Sequence, residues 1–115
     1  MPGIIFMRKY WGAEMTDFAR LMNDYFVKYL AGQKGSGSNT MKTYRDTFVQ
    51  LLEFMNEKKH IRADCIEVDS FSYDIINEFL EYLEKEKRVS ISTRNNRLAA
   101  IRSFFKYTGY HEPKY

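Results

Sequence analysis

Residues 90–107 read SISTRNNRLAAIRSFFKY, and their apolar side chains recur at the three- and four-residue steps of a helix. The face predicted to be buried consists of Leu98, Ile101, Phe104, Phe105 and Thr108. Ser90 to Ser92 supply an amino-terminal cap. Gly109 is expected to end the helix, because glycine readily takes the left-handed conformation that follows a helix end. The stretch therefore predicts one long helix packed on a core.

The opposite face of this helix is small, polar and edged by cations. It carries Ser92, Asn96, Ala99 and Ser103, flanked by Asn95, Arg102 and Lys106. No acid lies between Glu86 and Glu112, whereas six basic residues do: Lys87, Arg88, Arg94, Arg97, Arg102 and Lys106. Short side chains allow close approach, amides can pair with a base edge, and cations suit a polyanion. This face favours a nucleic-acid groove, and the alternative is an ordinary solvated helix surface.

Composition limits the class of protein. A chain of 115 residues suffices for one domain with a core, and a hydrophobic content of 44% argues against disorder. The net charge of +3 is small, so affinity for a polyanion must come from where the charges lie. Residues 74–86 carry five acids and one base, so we expect this segment to point away from any nucleic acid.

Other site classes find little support. The single cysteine, Cys65, cannot form a disulfide within the chain, and two histidines give no metal-ligand spacing. We therefore expect no metal and no cofactor, and we expect Cys65 to be partly buried beside its apolar neighbours. The apolar runs are too short for a membrane span, and the amino terminus has no long apolar signal region. A cytoplasmic protein without a membrane partner is expected.

Three further helices are predicted. The first begins at its cap Thr16 and ends at Gly32, the second begins at Ser38 or Asn39, and the third begins at Asp69 or Ser70. Their buried stripes are, in order, Phe18, Leu21, Met22, Tyr25, Phe26, Tyr29 and Leu30; Met41, Tyr44, Phe48, Leu51, Leu52 and Met55; and Ile75, Ile76, Phe79, Leu80 and Leu83. The polar start of the second helix holds Asn39, Lys42, Thr43 and Asp46, with Arg45 on its border. Exposed N–H groups at such a start attract phosphate oxygens.

Three segments together resemble a known family: SNTMKTYRDTFVQLLEFM (38–55), IEVDSFSYDIINEFLEYLE (66–84) and SISTRNNRLAAIRSFFKY (90–107). In order and spacing they are similar to the amino-terminal core-binding domain of tyrosine recombinases, which include phage integrases and Xer-type resolvases. The resemblance covers roughly residues 16–113. It implies an all-α, SAM-like orthogonal bundle of four or five helices, which forms half of a clamp around duplex DNA and grips the major groove during DNA integration or recombination by a mobile element.

The resemblance also implies a division of the chain and a set of contacts. Residues 1–15 would be an amino-terminal arm, residues 16–109 the core-binding domain, and residues 110–115 the start of a linker to a catalytic domain outside this chain. The candidate DNA-binding residues, from the helix faces and the resemblance together, are Asn39, Thr40, Lys42, Thr43, Arg45, Ser92, Arg94, Asn95, Asn96 and Arg102.

The resemblance further implies a chain that is not an enzyme by itself. Members of the family cut DNA with a tyrosine in a separate domain, and no HxxR motif occurs here. Tyr107, Tyr110 and Tyr115 are therefore expected to be packing or linker residues. The expected partners are double-stranded DNA and, in the full-length protein, other recombinase protomers, with a monomer in isolation. The alternatives are a helical interaction module whose basic face meets an acidic protein, and an enzyme acting alone, for which neither an acid–histidine pair nor a phosphate-binding GxxxxGK[ST] motif is present.

Overall fold

The structure is a computed structural model of the chain and describes residues 16–30 and 38–111, with side chains for 16–28 and 41–109. Its elements are α1 (Asp17–Asp24), which continues as a π-helical segment (Tyr25–Leu30), then α2 (Ser38–Lys59), α3 (Tyr73–Lys85) and α4 (Ile91–His111). Two short 3₁₀ turns, Ala63–Cys65 and Val68–Ser70, connect α2 to α3. These ranges contain no strand, and the predicted all-α fold is confirmed. The expected arm, the expected end of the first helix at Gly32 and residues 112–115 lie outside the described residues.

The helix starts follow from side-chain caps. The Thr16 hydroxyl accepts the N–H of Ala19 at 3.2 Å, and the Ser90 hydroxyl accepts the N–H of Thr93 at 3.1 Å, as predicted for α1 and α4. The Ser72 hydroxyl caps α3 in the same way, so α3 begins at Tyr73.

The predicted start of α3 at Asp69 or Ser70 is wrong. Ser70 and Glu67 exchange hydrogen bonds in a capping box, which closes the separate 3₁₀ turn Val68–Ser70. Phe71 then takes an extended conformation with φ −105° and ψ 109°, which interrupts the helical path. The sequence therefore contains two successive caps, and the second of them begins the helix.

The predicted end of α4 at Gly109 is also wrong, because the helix continues to His111. Gly109 is exposed and has no neighbouring atom near the position of a Cβ, so nothing there forces the chain to turn. The left-handed conformation belongs instead to His60 (φ 58°) after α2 and Arg88 (φ 55°) after α3. After each of these residues, the next N–H donates to a carbonyl of the preceding helix.

The core is aromatic and is centred on Phe104 of α4. Its ring lies 5.6 Å from the ring of Phe18, 5.4 Å from that of Tyr25 and 5.3 Å from that of Phe48, in edge-to-face arrangements. Every predicted stripe residue with a described side chain is buried or partly buried against this core. The core also contains residues outside the predicted stripes: Ala19, Thr47, Phe54, Ile66, Val68, Tyr82, Ala100 and Tyr107.

Two further observations concern the cysteine and the length of the apolar helices. Cys65 is exposed and free, contrary to expectation, because the apolar side chain of the neighbouring Ile66 takes the buried position. Within the described ranges, none of the helices is long and apolar enough to cross a membrane.

Candidate nucleic-acid interface

Arg97 joins the beginning of α4 to the beginning of α2. Its Nη1 donates to the carbonyl oxygen of Thr43 at 3.2 Å and to the hydroxyl of Thr47 at 3.4 Å. The Thr47 hydroxyl donates in turn to the same Thr43 carbonyl at 2.8 Å, and Thr47 is fully buried. The second turn of α4 is therefore held against the second and third turns of α2, the two helices that were predicted to contact DNA.

We call residues 38–46 of α2 and 91–96 of α4 the helix-start face. Its exposed polar side chains, among those described, are Lys42, Ser92, Asn95 and Asn96. Thr43 is partly buried, and Arg45 is partly buried within α2. The backbones of Asn39 and Thr40 belong to the first turn of α2, and their side chains lie outside the described residues. Most predicted site residues therefore come from two adjacent helix starts.

One carboxylate modifies the electrostatics of this face. Asp46 is the only acid in residues 38–46 and 91–96, and its Oδ2 lies 3.3 Å from the Nζ of Lys42. The Lys42 side chain is 66% exposed and the Asp46 side chain 36% exposed, so the attraction is weakened by solvent and salt. The amide oxygen of Asn95 also has a partner, because it accepts a hydrogen bond from Arg94 at 3.1 Å. Asn96 is exposed and receives no such bond from the described residues.

Two of the predicted cations lie towards α3. Arg94 forms an ion pair with Glu84 of α3, with its Nε 3.5 Å from Oε1, and only 29% of its side chain is exposed. Arg94 and the exposed Arg102 both line a groove of about 430 Å³ between α3 and α4, whose apolar wall includes Phe71 and Leu98. Residues two apart on a helix point roughly 160° apart. Arg94 therefore does not share a direction with Asn96.

The small polar face of α4 is shorter than predicted. Ser103 is partly buried, and its hydroxyl accepts a hydrogen bond from the Tyr25 hydroxyl at 2.8 Å. The π-helical segment after α1 thus covers the later part of the face that the helical wheel assigned to a groove. Of the predicted small polar series Ser92, Asn96, Ala99 and Ser103, only the first three residues are exposed.

Sequence reasoning missed Arg97 and Thr47. A signal was present, because Arg97 stands four residues before Ile101 and seven before Phe104, which places it on the buried stripe of α4. A basic residue at such a position is expected to find polar partners inside the fold. The buried Thr47 and the Thr43 carbonyl are those partners.

Comparisons with known proteins concern the family of the chain. The sequence pattern of the family described as phage integrase, N-terminal SAM-like domain, matches residues 23–113. A protein of Sinorhizobium fredii named as an integrase/recombinase is 33% identical over 100 residues, which cover 87% of this chain and 30% of the relative. The tyrosine recombinase XerC of Roseiflexus is 34% identical over 89 residues, which cover 75% of this chain and 26% of that protein. The chain thus spans less than a third of the length of these two relatives. No solved structure gives a significant match.

Proposed function

Because the chain belongs to the family of phage integrase N-terminal SAM-like domains, we propose that it binds duplex DNA through the helix-start face during site-specific recombination. The observation that carries the proposal is the bridge from Arg97 to Thr43 and Thr47, which holds the starts of α2 and α4 together. Two helix starts side by side present N–H groups and short polar side chains to one ligand. The relatives named as recombinases support the same role.

The exposed side chains suit two kinds of contact with DNA, to base edges and to phosphates. Asn96 carries an amide that can form two hydrogen bonds with an adenine edge, and the Ser92 hydroxyl can bond to several bases. Lys42 carries a flexible cation that suits a phosphate. Phosphate contacts fix the protein on the duplex without reading its sequence, whereas contacts to base edges select the site. We assign sequence reading to Asn96 and phosphate binding to Lys42.

The test compares Asn96→Ala with Asn95→Ala and Lys42→Ala. Affinity is measured by fluorescence anisotropy on a duplex selected from a random library and on a scrambled duplex of equal length. Asn96→Ala should cost about 1–3 kcal/mol on the selected duplex alone. Asn95→Ala, a matched amide whose oxygen already has a partner in Arg94, should cost less. Lys42→Ala should weaken both complexes alike. Equal losses on both duplexes for Asn96→Ala would contradict the assignment.

We also propose that the chemistry of recombination lies in another part of a longer protein, with residues 1–15 as an arm, the core-binding domain from residue 16 to the end of α4, and a linker after that helix. Other protomers of that protein would share the DNA. Within the described residues, Tyr107 is a poor nucleophile because it is buried and burial raises the pKa of its hydroxyl. Incubation with a nicked duplex that traps covalent intermediates should leave all protein free on a denaturing gel. A covalent band that a tyrosine-to-phenylalanine change abolishes would refute this division.

A further inference from the structure

Arg97 donates hydrogen bonds to neutral groups, and no acidic side chain among the described residues balances its charge. A guanidinium has five N–H donors, and the only Arg97 nitrogen with a hydrogen bond among the described residues is Nη1. Its partners are a carbonyl and a hydroxyl, and no carboxylate of the described part of the chain pairs with it. The Nε is enclosed and has no acceptor there.

Two other partly buried cations of the bundle each pair with an acid. Arg94 has Glu84 at 3.5 Å, and Lys59 has Glu78 at 2.6 Å. Removing a charge from water without an opposite charge is costly, and a neutral glutamine could supply N–H donors to Thr43 and Thr47 at lower cost. The requirement for a hydrogen-bonded bridge therefore does not explain why the residue is charged. An external anion at this place would explain it.

We infer that Arg97 binds a phosphate of the DNA backbone at the junction between α2 and α4, while it positions the two helix starts. This inference rests on the proposed function. The contact would be made by Nη2, which is neither an enclosed atom nor hydrogen-bonded to any described residue. Long side chains on a helix lean towards its amino terminus, which brings the guanidinium towards the N–H groups of the helix starts. Guanidinium and phosphate form strong, charge-assisted hydrogen bonds.

The inference predicts a difference between two variants that weaken the bridge. Arg97→Gln removes the charge, whereas Thr47→Val removes one acceptor of the bridge and retains the charge. On a scrambled duplex, Arg97→Gln should reduce the slope of log K against log salt by about 0.9, the contribution of one phosphate contact. Thr47→Val and the charge-preserving Arg97→Lys should retain the slope of the unmodified protein. Thr47→Val should lower only the preference for the selected duplex, because it loosens the relative position of the two helices.

A merely structural Arg97 would leave the salt slope unchanged in all three variants. A steep slope in the unmodified protein with an unaltered slope in Arg97→Gln would overturn the inference and leave the proposed function standing. A flat slope in the unmodified protein would overturn both.

A second measurement applies if Arg97→Gln loses its cooperative thermal transition. Arginine Nε–H signals of the ¹⁵N-labelled protein are followed by NMR during titration with the scrambled duplex, with the signal of Arg97 assigned from Arg97→Lys. The Arg97 signal should shift at low salt and return at high salt. The signal of Arg62 should stay in place, because this residue follows the far end of the 22-residue α2. An unmoved Arg97 signal would overturn the inference.

Discussion

Replacing Asp46 by asparagine should strengthen duplex binding. Asp46 is the only acid of the helix-start face, and it lies 3.3 Å from Lys42. The substitution removes a repulsion from DNA phosphates and the competition of Asp46 with a phosphate for Lys42. A charge about 8 Å from a phosphate contributes about 0.5 kcal/mol in water, a roughly twofold change in affinity. Loss of the competing exposed ion pair, at up to about 0.5 kcal/mol, contributes at most another roughly twofold change. The expected gain is therefore about two- to fivefold.

The assay is fluorescence anisotropy on a scrambled duplex at fixed salt, with Glu81→Gln as the matched control. Glu81 is an exposed acid of α3 that pairs with Lys85 within its own helix. Both substitutions change the net charge equally, so a general charge effect would raise both affinities alike. The loss of the exposed Lys42–Asp46 pair should cost no more than about 0.5 kcal/mol of stability. Unchanged or weaker binding by Asp46→Asn, or an equal gain in Glu81→Gln, would refute the location of the face.

Three other predictions concern the fold that supports this face. Phe104→Ala should lower the free energy of unfolding in urea by about 3–5 kcal/mol, because the ring is fully buried among three others; a loss below about 1 kcal/mol would contradict its central place. His60→Gly should raise the free energy of unfolding by about 0.5–1 kcal/mol, because His60 has a φ of 58°, and a decrease would contradict this backbone conformation. Burial, with a smaller effect of Asp24, raises the pKa of Tyr107 above its usual 10.0. The protonated Tyr107 hydroxyl therefore contributes fully to the free energy of unfolding below about pH 10, and this contribution is lost as the pH rises through the folded-state pKa. The alkaline loss of stability should be smaller in Tyr107→Phe, and an unchanged loss would contradict this effect.

Much of the fold could be predicted because helical periodicity is a local property of sequence. The apolar stripes located the four helices of residues 16–30 and 38–111, and the hydroxyls of Thr16 and Ser90 marked two helix starts. The start of α3 was misplaced because Ser70 and Ser72 have the same local appearance. Only the reciprocal bonds between Glu67 and Ser70 make the first of them a separate turn.

The site was less predictable because the direction of a basic side chain depends on tertiary packing. A helical wheel showed that Asn96 and Lys42 are exposed, and the structure agrees. It could not show that Arg94 meets Glu84 on a neighbouring helix, or that Arg97 meets the buried Thr47. Both contacts depend on how α4 packs against α3 and α2, and this packing is not a property of α4 alone.

The salt dependence of duplex binding by the unmodified protein tests the central claim most directly. With one phosphate each for Lys42, Arg45 and Arg97, the slope of log K against log salt should be about −2.7. Between about 50 and 200 mM salt, the affinity should then fall about 40-fold. A measurable affinity that does not change over this range would contradict DNA binding by the helix-start face and would favour an interaction module for an acidic protein.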